Sequence, residues 1–233
     1  PVVSGDSVYV VTQDGRLWAF NVASGQTRWV TDPPILSGPG FPSTVAVVKG
    51  VVYFCLQDRR LYAFDAVTGQ RRWVSPTANA YSSPTVVNGV VYSTDGTVSA
   101  FDATNGQLRW AASSQPSTAS PVAVANHLVY AAISNYGPSV GRVCALNAMT
   151  GQTHWISDLI ENGVDTNSSP MVANGLVYIG SGDGGLVAFD AATGHTRWVT
   201  APTAGSTGSS AAVAYGKVYH ARGEVYAFDA TTG

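Results

Sequence analysis

The chain has 233 residues, of which 45% are hydrophobic and 11% charged, with a formal net charge of −2. So sparse and balanced a charge set leaves no electrostatic footprint for DNA, RNA or an anionic membrane, and nucleic acid is not an expected partner. No apolar run approaches the roughly 18 residues needed to span a bilayer, and no basic segment followed by an apolar stretch opens the chain, so this domain is not expected to insert in a membrane.

The chain opens on Pro1-Val2-Val3, matched later by Pro84-Thr85-Val86 and Pro170-Met171-Val172, each Pro preceding the tyrosine of a Val-Tyr pair by eight residues. It is therefore expected to begin inside a repeating motif, so that any signal peptide or anchor would lie outside it. A short first strand at 1–3 is followed by a second at about 7–12. Gln13-Asp14-Gly15 then turns the chain. Asp-Gly between alternating apolar runs predicts a primed hairpin turn with both central residues at positive φ, and Asp95-Gly96 and Asp183-Gly184 recur in the same place. Read as Ca²⁺ ligands, these aspartates lack a ligand-rich loop, so turn chemistry is the expectation.

The third strand is expected at 17–20, 61–64, 98–101, 143–146, 186–189 and 225–228. It ends on an Asp or Asn whose side chain can accept backbone N–H groups, followed by a glycine able to take the left-handed conformation. A fourth strand carries Arg28-Trp29, Arg72-Trp73, Arg109-Trp110, His154-Trp155 and Arg197-Trp198. The indoles are expected to pack between neighbouring sheets. Stacking platforms for nucleic-acid bases would need a basic groove as well.

Together these pieces form one eleven-residue pattern, complete at 19–29, 63–73, 100–110, 145–155 and 188–198. A sixth copy begins at Ala227 and the chain stops at Gly233. Its fixed glycines are Gly25, Gly69, Gly106, Gly151 and Gly194. The pattern Phe or Leu falls at 20, 64, 101, 146, 189 and 228, and a period of roughly 40 residues belongs to solenoids or propellers. No unit shows an apolar stripe at helical spacing, whereas β-branched and aromatic runs bounded by Gly, Asn and Asp recur throughout. The expected fold is all-β: one domain, a six-bladed β-propeller of four-stranded antiparallel blades with the last blade missing its outer strand. The repeats are placed at about 1–30, 42–74, 83–111, 120–156, 169–199 and 210–233. Cys55 and Cys144 fall in different units and are expected to be buried free thiols, because bridged Cα atoms must lie within about 7 Å.

Ala63-Phe64-Asp65-Ala66-Val67-Thr68-Gly69-Gln70-Arg71-Arg72-Trp73 resembles the tryptophan-docking motif of the PQQ-like (quinoprotein-type) β-propeller repeats, as does the copy at 188–198. The other copies depart mildly, with Asn21, Asn147, Ser24 and Asn105 at fixed positions. The resemblance covers essentially the whole chain and implies fold far more than function, since such repeats serve dehydrogenases, outer-membrane assembly lipoproteins and extracellular sensor domains. Set against quinone-dependent dehydrogenases, the chain has no Cys-Cys pair and only two glutamates, Glu161 and Glu224. No cofactor, metal or catalytic residue is therefore assigned. The resemblance implies an extracytoplasmic, periplasmic or cell-surface location.

Function is expected in the variable loops that leave the fourth strand or join the second to the third, because repeat folds diversify there. The connection at 158–167 carries Asp158, Glu161 and Asp165 with Asn167, a set suited to a cation or to sugar hydroxyls, or simply a solvated acidic loop. Phe41, Tyr81, Asn135 and Tyr136 lie in the same set of loops, and an exposed aromatic can anchor a peptide or stack on a sugar. Ser82-Ser83, Ser168-Ser169 and Ser209-Ser210 are expected to bind water and neighbouring backbone at the entry to the first strand. The expected function is a non-enzymatic binding or scaffold module, the extracytoplasmic sensor or interaction domain of a larger bacterial protein, whose partner is a protein, peptide, small molecule or glycan on this loop face. A PQQ-dependent oxidoreductase remnant and a lectin-like propeller are the alternatives.

Overall fold

The structure, a computed structural model, describes residues 1–31, 43–77, 80–112, 120–134, 141–160, 163–165, 168–202 and 210–233, without the side chains of Ser134 and Arg222. These form two compact units, one of residues 1–95 and 99–111 and the other of 96–98 and 112–233. Among the described residues there is no helix, and hence none long and apolar enough to cross a membrane.

Every sheet is an antiparallel meander in chain order. The first unit contains β1 (Val2–Ser4), β2 (Ser7–Val11), β3 (Leu17–Asn21) and β4 (Thr27–Val30) as sheet one. Sheet two is β5 (Ala46–Val48), β6 (Val51–Cys55), β7 (Leu61–Asp65) and β8 (Arg71–Val74). Sheet three is β9 (Thr85–Val87), β10 (Val90–Thr94), β11 (Val98–Asp102) and β12 (Leu108–Ala111). In the second unit, sheet four is β13 (Ala123–Ala125), β14 (Leu128–Ser134), β15 (Gly141–Asn147) and β16 (Thr153–Ile156). Sheet five is β17 (Met171–Ala173), β18 (Leu176–Gly180), β19 (Leu186–Asp190) and β20 (Thr196–Val199). Sheet six has three strands, β21 (Ala212–Ala214), β22 (Lys217–Arg222) and β23 (Glu224–Asp229), and so lacks an outer strand, as the truncated repeat predicts.

The turns follow the predicted chemistry at different places. Primed geometry was expected at Asp-Gly, but only the glycine takes positive φ there, Gly15 at 78° and Gly184 at 94°. Gly15 N–H donates to the Thr12 carbonyl and Thr12 N–H to the Arg16 carbonyl, both at 2.9 Å. This is a three-residue loop closed by a left-handed residue. Both central residues are left-handed instead in the two-residue turns between first and second strands, as at Asn88 (49°) and Gly89 (76°) or Asn174 (53°) and Gly175 (76°). The Asp14 carboxylate accepts from Thr12 Oγ1 and Arg16 N–H and so fixes the looser loop.

One lateral row explains the repeat. Tyr53 pairs with Ala63, which pairs with Trp73, and the same row runs Tyr9, Ala19, Trp29, then Tyr130, Ala145, Trp155, then Tyr178, Ala188, Trp198. A methyl group in the middle lets the two rings meet above it, with centroids 5.8–5.9 Å apart. Both rings then reach the following sheet. Tyr53 Oη and Trp73 Nε1 donate to the Ala103 carbonyl at 3.3 and 3.1 Å, and Tyr130 and Trp155 share the Ala191 carbonyl at 3.2 and 3.1 Å. One carbonyl with two lone pairs thus satisfies two donors.

The motif glycine is the seat for the indole. A Cβ built on Gly69 would stand 2.7 Å from Trp29, on Gly106 2.5 Å from Trp73, and on Gly194 2.6 Å from Trp155. Between sheets, alternate residues of the second and third strands pack together, as Tyr9, Leu17 and Ala19 do with Val52, Phe54 and Phe64. Sheets four and five pack through Tyr130, Ala132, Val143, Val177, Ile179 and Phe189. Cys55 and Cys144 are free and buried, and burial pushes both thiols up to about 12.

The motif aspartate works at both ends of its carboxylate. Asp65 Oδ1 accepts Val67 and Thr68 N–H at 3.0 and 2.9 Å, while Oδ2 receives Arg72 at 2.7 Å. Arg72, with these backbone donors, holds the Asp65 carboxyl well below the usual carboxylate range; at Asp102 the Thr104 hydroxyl and then Arg109 lower it to about 2.

Gly69→Ala and Gly106→Ala should each cost about 2–4 kcal/mol, the sum of a left-handed Cβ and a clash with a fixed indole. Gly25→Ala, at φ 69° with nothing within 4 Å, should cost only about 1 kcal/mol. Urea midpoints compare the three, and equal losses would refute the indole seat. The depressed Asp102 carboxyl contributes stability that is complete above its unfolded value of about 4 and disappears as pH falls through its folded value. Asp102→Asn should therefore be less stable than the parent at pH 7, with the gap closing toward pH 2 in denaturant titrations.

Candidate functional site

In each four-stranded sheet the turn from second to third strand and the connection leaving the fourth strand belong to one end, and polar side chains gather there. In the first unit, the Arg59 carbonyl accepts Ala80 N–H at 2.9 Å and the Thr94 carbonyl accepts Tyr81 N–H at 3.0 Å. The connection after β8 is thereby laid over its own sheet's turn and onto the end of β10. Arg59, left-handed at φ 62°, directs its guanidinium onto the Asp95 carboxylate. In the same connection Tyr81 is 45% exposed.

In the second unit, residues 163–165 are wedged between sheets four and five. Val164 N–H donates to the Gly141 carbonyl at 3.1 Å, Val164 bridges Ser181, and Asp165 N–H donates to the Gly180 carbonyl at 2.7 Å. Val164 is buried against Ile179 and Val143, which gives the connection an apolar anchor. Around Gly180 three polar side chains converge: a Cβ there would stand 3.4 Å from His220 Nε2 and 3.6 Å from the Cβ atoms of Asp165 and Ser168. Ser168 and His220 are buried, and Asp165 is half-buried. The arrangement brings an imidazole, a serine and an aspartate together at one strand end, where Ser168 Oγ accepts Gly180 N–H at 3.4 Å.

The acidic connection is divided by the fold. Asp158 has other neighbours: its Oδ2 accepts Thr196 N–H at 3.0 Å and stands 3.4 Å from His195 Nδ1. The Thr196 bond, then His195, lowers its carboxyl. Phe41, Asn135, Tyr136, Glu161 and Asn167 lie outside the described residues. Among the described residues no three His, Cys, Asp or Glu side chains stand close enough to hold a metal ion.

The hydroxyls at the entry to the first strand bind backbone. Ser43 Oγ accepts Cys55 N–H at 2.8 Å, Ser82 Oγ accepts Thr94 N–H at 2.9 Å, and Ser168 Oγ accepts Gly180 N–H at 3.4 Å. The next residues link neighbouring sheets, Thr44 N–H to Ser83 Oγ and Ser169 N–H to Ser210 Oγ, each at 3.0 Å.

Sequence reasoning missed the convergence on His220. The residue after each Val-Tyr is Val10, Phe54, Ser93, Ala131 or Ile179 in the other units, so a histidine breaks the pattern. Across the interface it faces Gly180, where a Cβ would stand 3.4 Å from His220 Nε2. A cavity of about 380 Å³ opens at the opposite end of sheets five and six, lined by Asn174, Leu176, Tyr178, Arg197, Ala230 and Thr231.

Gly141→Ala should release the wedge, since the new Cβ would stand 2.4 Å from the Val164 carbonyl oxygen. A loss of about 1–3 kcal/mol is expected, with faster hydrogen exchange at the Asp165 amide; unchanged exchange would show that Val164 does not hold the connection.

Comparison with solved structures shows the β-propeller fold. BamB from Moraxella catarrhalis superposes with a TM-score of 0.71 at 23% identity over 94% of this chain and 67% of that one. The computationally designed Ika8 protein reaches a TM-score of 0.82 at 17% identity over 100% of this chain and 70% of that one. The quinohemoprotein alcohol dehydrogenase ADHIIG from Pseudomonas putida HK5 gives 0.69 at 20% identity, over 88% of this chain and 42% of the enzyme. A search of the curated proteins found no match. The family profile described as outer membrane protein assembly factor BamB matches residues 1–92 and 35–233. With its docking rows in place and the whole length matched, the chain belongs to that family, whose repeats are of the PQQ-like type.

Proposed function

We propose that the chain is a non-enzymatic, protein-binding scaffold: a six-bladed propeller acting outside the cytoplasm and presenting its partner surface on the side of the variable connections. The reading is carried by the family match, because the family is described by an assembly role and the match runs from residue 1 to residue 233. The loop-end clusters support it. Arg59, Asp95 and Tyr81 offer an exposed arginine held on a largely covered aspartate, with an exposed tyrosine in the same loops, a composition suited to a protein interface. The braced connection at 163–165 holds the loops at this end of sheets four and five in a fixed position. A peptide or glycan ligand would use the same chemistry.

The second reading, a reduced quinone-dependent oxidoreductase, draws on the likeness to quinohemoprotein alcohol dehydrogenases, which at 20% identity is a likeness of fold.

Site-directed photocrosslinking in the native host separates the faces. Crosslinkers at Arg59 and Tyr81 should capture a discrete protein partner, whereas those at Val67 and Met149, 81% and 85% exposed on the repeated Thr-Gly turns, should not. Capture confined to Val67 and Met149 would overturn the assignment of the face. Addition of PQQ with Ca²⁺ should leave the melting temperature unchanged and elicit no dye-linked alcohol oxidation; clear activity would overturn the scaffold reading.

A further inference from the structure

The turn that joins β6 to β7 holds an arginine where its sister turns hold glycine. Gly15, Arg59 and Gly184 close the same three-residue loop, each donating its N–H to the carbonyl three places back, on Thr12, Leu56 and Ser181, at 2.9, 3.0 and 3.0 Å. Each is left-handed, at φ 78°, 62° and 94°. Glycine takes this conformation freely, whereas an L side chain is strained in it. Such a residue persists only where its surroundings hold it, and strained residues gather at functional places.

Two contacts hold Arg59. Its carbonyl accepts Ala80 N–H at 2.9 Å, and its Nε donates to Asp95 Oδ2. The second contact covers the carboxylate and leaves the guanidinium out, the Asp95 side chain being 14% exposed and that of Arg59 56%. Because Nε is the nitrogen engaged, Nη1 and Nη2 have no partner among the described residues, and the planar fork is held in place before a ligand reaches it. Arg60 follows, exposed and without an ion pair among the described residues. The other carboxylate of the turn, Asp58, is engaged by Tyr62 Oη and by Arg60 N–H. Tyr81, one residue along from the Ala80 bond, adds its exposed ring.

We propose that Arg59, Arg60 and Tyr81 form a carboxylate-reading site for an acidic segment of a partner protein. A glutamate or aspartate of that segment lies on the Arg59 fork, and a neighbouring apolar side chain lies on the Tyr81 ring. The site rests on the reading of the loop end as the partner surface and adds the chemistry of the partner. Both carboxylates of this corner are already engaged by the protein's own groups, while the guanidinium groups face outward, so the surface attracts negative charge at short range. Anchoring at Nε lowers the ordering cost that an exposed arginine otherwise brings to a contact.

The test is NMR titration of the full 233-residue chain with the capped peptides Gly-Glu-Phe-Glu-Gly and Gly-Gln-Phe-Gln-Gly. The acidic peptide should give saturable amide shifts at Arg59, Arg60 and Tyr81, and the glutamine peptide should bind about tenfold more weakly. Arg59→Gly restores the residue of the sister turns; its urea midpoint should change little, since relief of the left-handed strain offsets the lost ion pair, while affinity for the acidic peptide falls about tenfold. Arg60→Ala should cost a few-fold in affinity. A lowered midpoint with unchanged affinity would make Arg59 a structural clamp and overturn the proposal. So would shifts elsewhere on the surface, equal affinity of the two peptides, or the same shifts with inorganic phosphate at equal concentration. Capture of a partner by the crosslinker at Tyr81 while the acidic peptide does not bind would keep the face and overturn the carboxylate chemistry.

Discussion

A single backbone carbonyl, the one that follows the motif aspartate, is the point on which the sheet junctions inside each compact unit depend. It receives a tyrosine hydroxyl and an indole N–H from the preceding sheet, as Ala103 does from Tyr53 and Trp73. The constraint runs back into composition. The row between the two rings must be alanine for them to meet, the seat opposite the indole must be glycine, and the aspartate must fix the turn that aims the carbonyl. Where only the tyrosine reaches the carbonyl, at Ala66 and Ala230, the indole nitrogens of Trp29 and Trp198 are buried without a partner among the described residues. The hydroxyl is then the bond that persists, and the indole contributes through area and shape.

The repeat made most of the fold readable in advance. Six sheets, their meander order, the three-stranded last sheet and the buried free thiols all follow from patterns with a local cause: alternation, an Asx turn, a left-handed glycine. The turn types were less legible. Asp14-Gly15 and Asn88-Gly89 look alike as dipeptides, yet the first is one residue longer in effect because a threonine hydroxyl and the aspartate carboxylate close it as a three-residue loop. Side-chain capping decided the outcome, and dipeptide chemistry alone does not contain that information.

The candidate site was legible only as a location. The loops leaving the fourth strands did gather the polar clusters, but the acidic connection at 158–167 was read as one group, and the structure gives Asp158 and Asp165 different neighbours. What separates them is Val164, whose burial between two sheets depends on Gly141, a residue more than twenty positions upstream. Likewise His220 and Gly180 make sense only as a pair across an interface. The same logic pairs Cys55 with Ser93, 3.5 Å apart. Compensation of size and polarity between non-adjacent strands leaves no local signature, apart from the oddity of a histidine where other units carry aliphatic, aromatic or small residues.

The sharing of one carbonyl by two donors also bears on how such a chain changes over generations. Each sheet asks of its neighbour only a glycine, a carbonyl and an apolar face, and it offers the same in return. Duplication or deletion of a whole unit therefore joins surfaces that already match, so copy number can drift without new interfaces being invented. Substitutions at Tyr53, Ala63 or Trp73 enjoy no such freedom, because they must remain compatible with every unit that might be placed beside them.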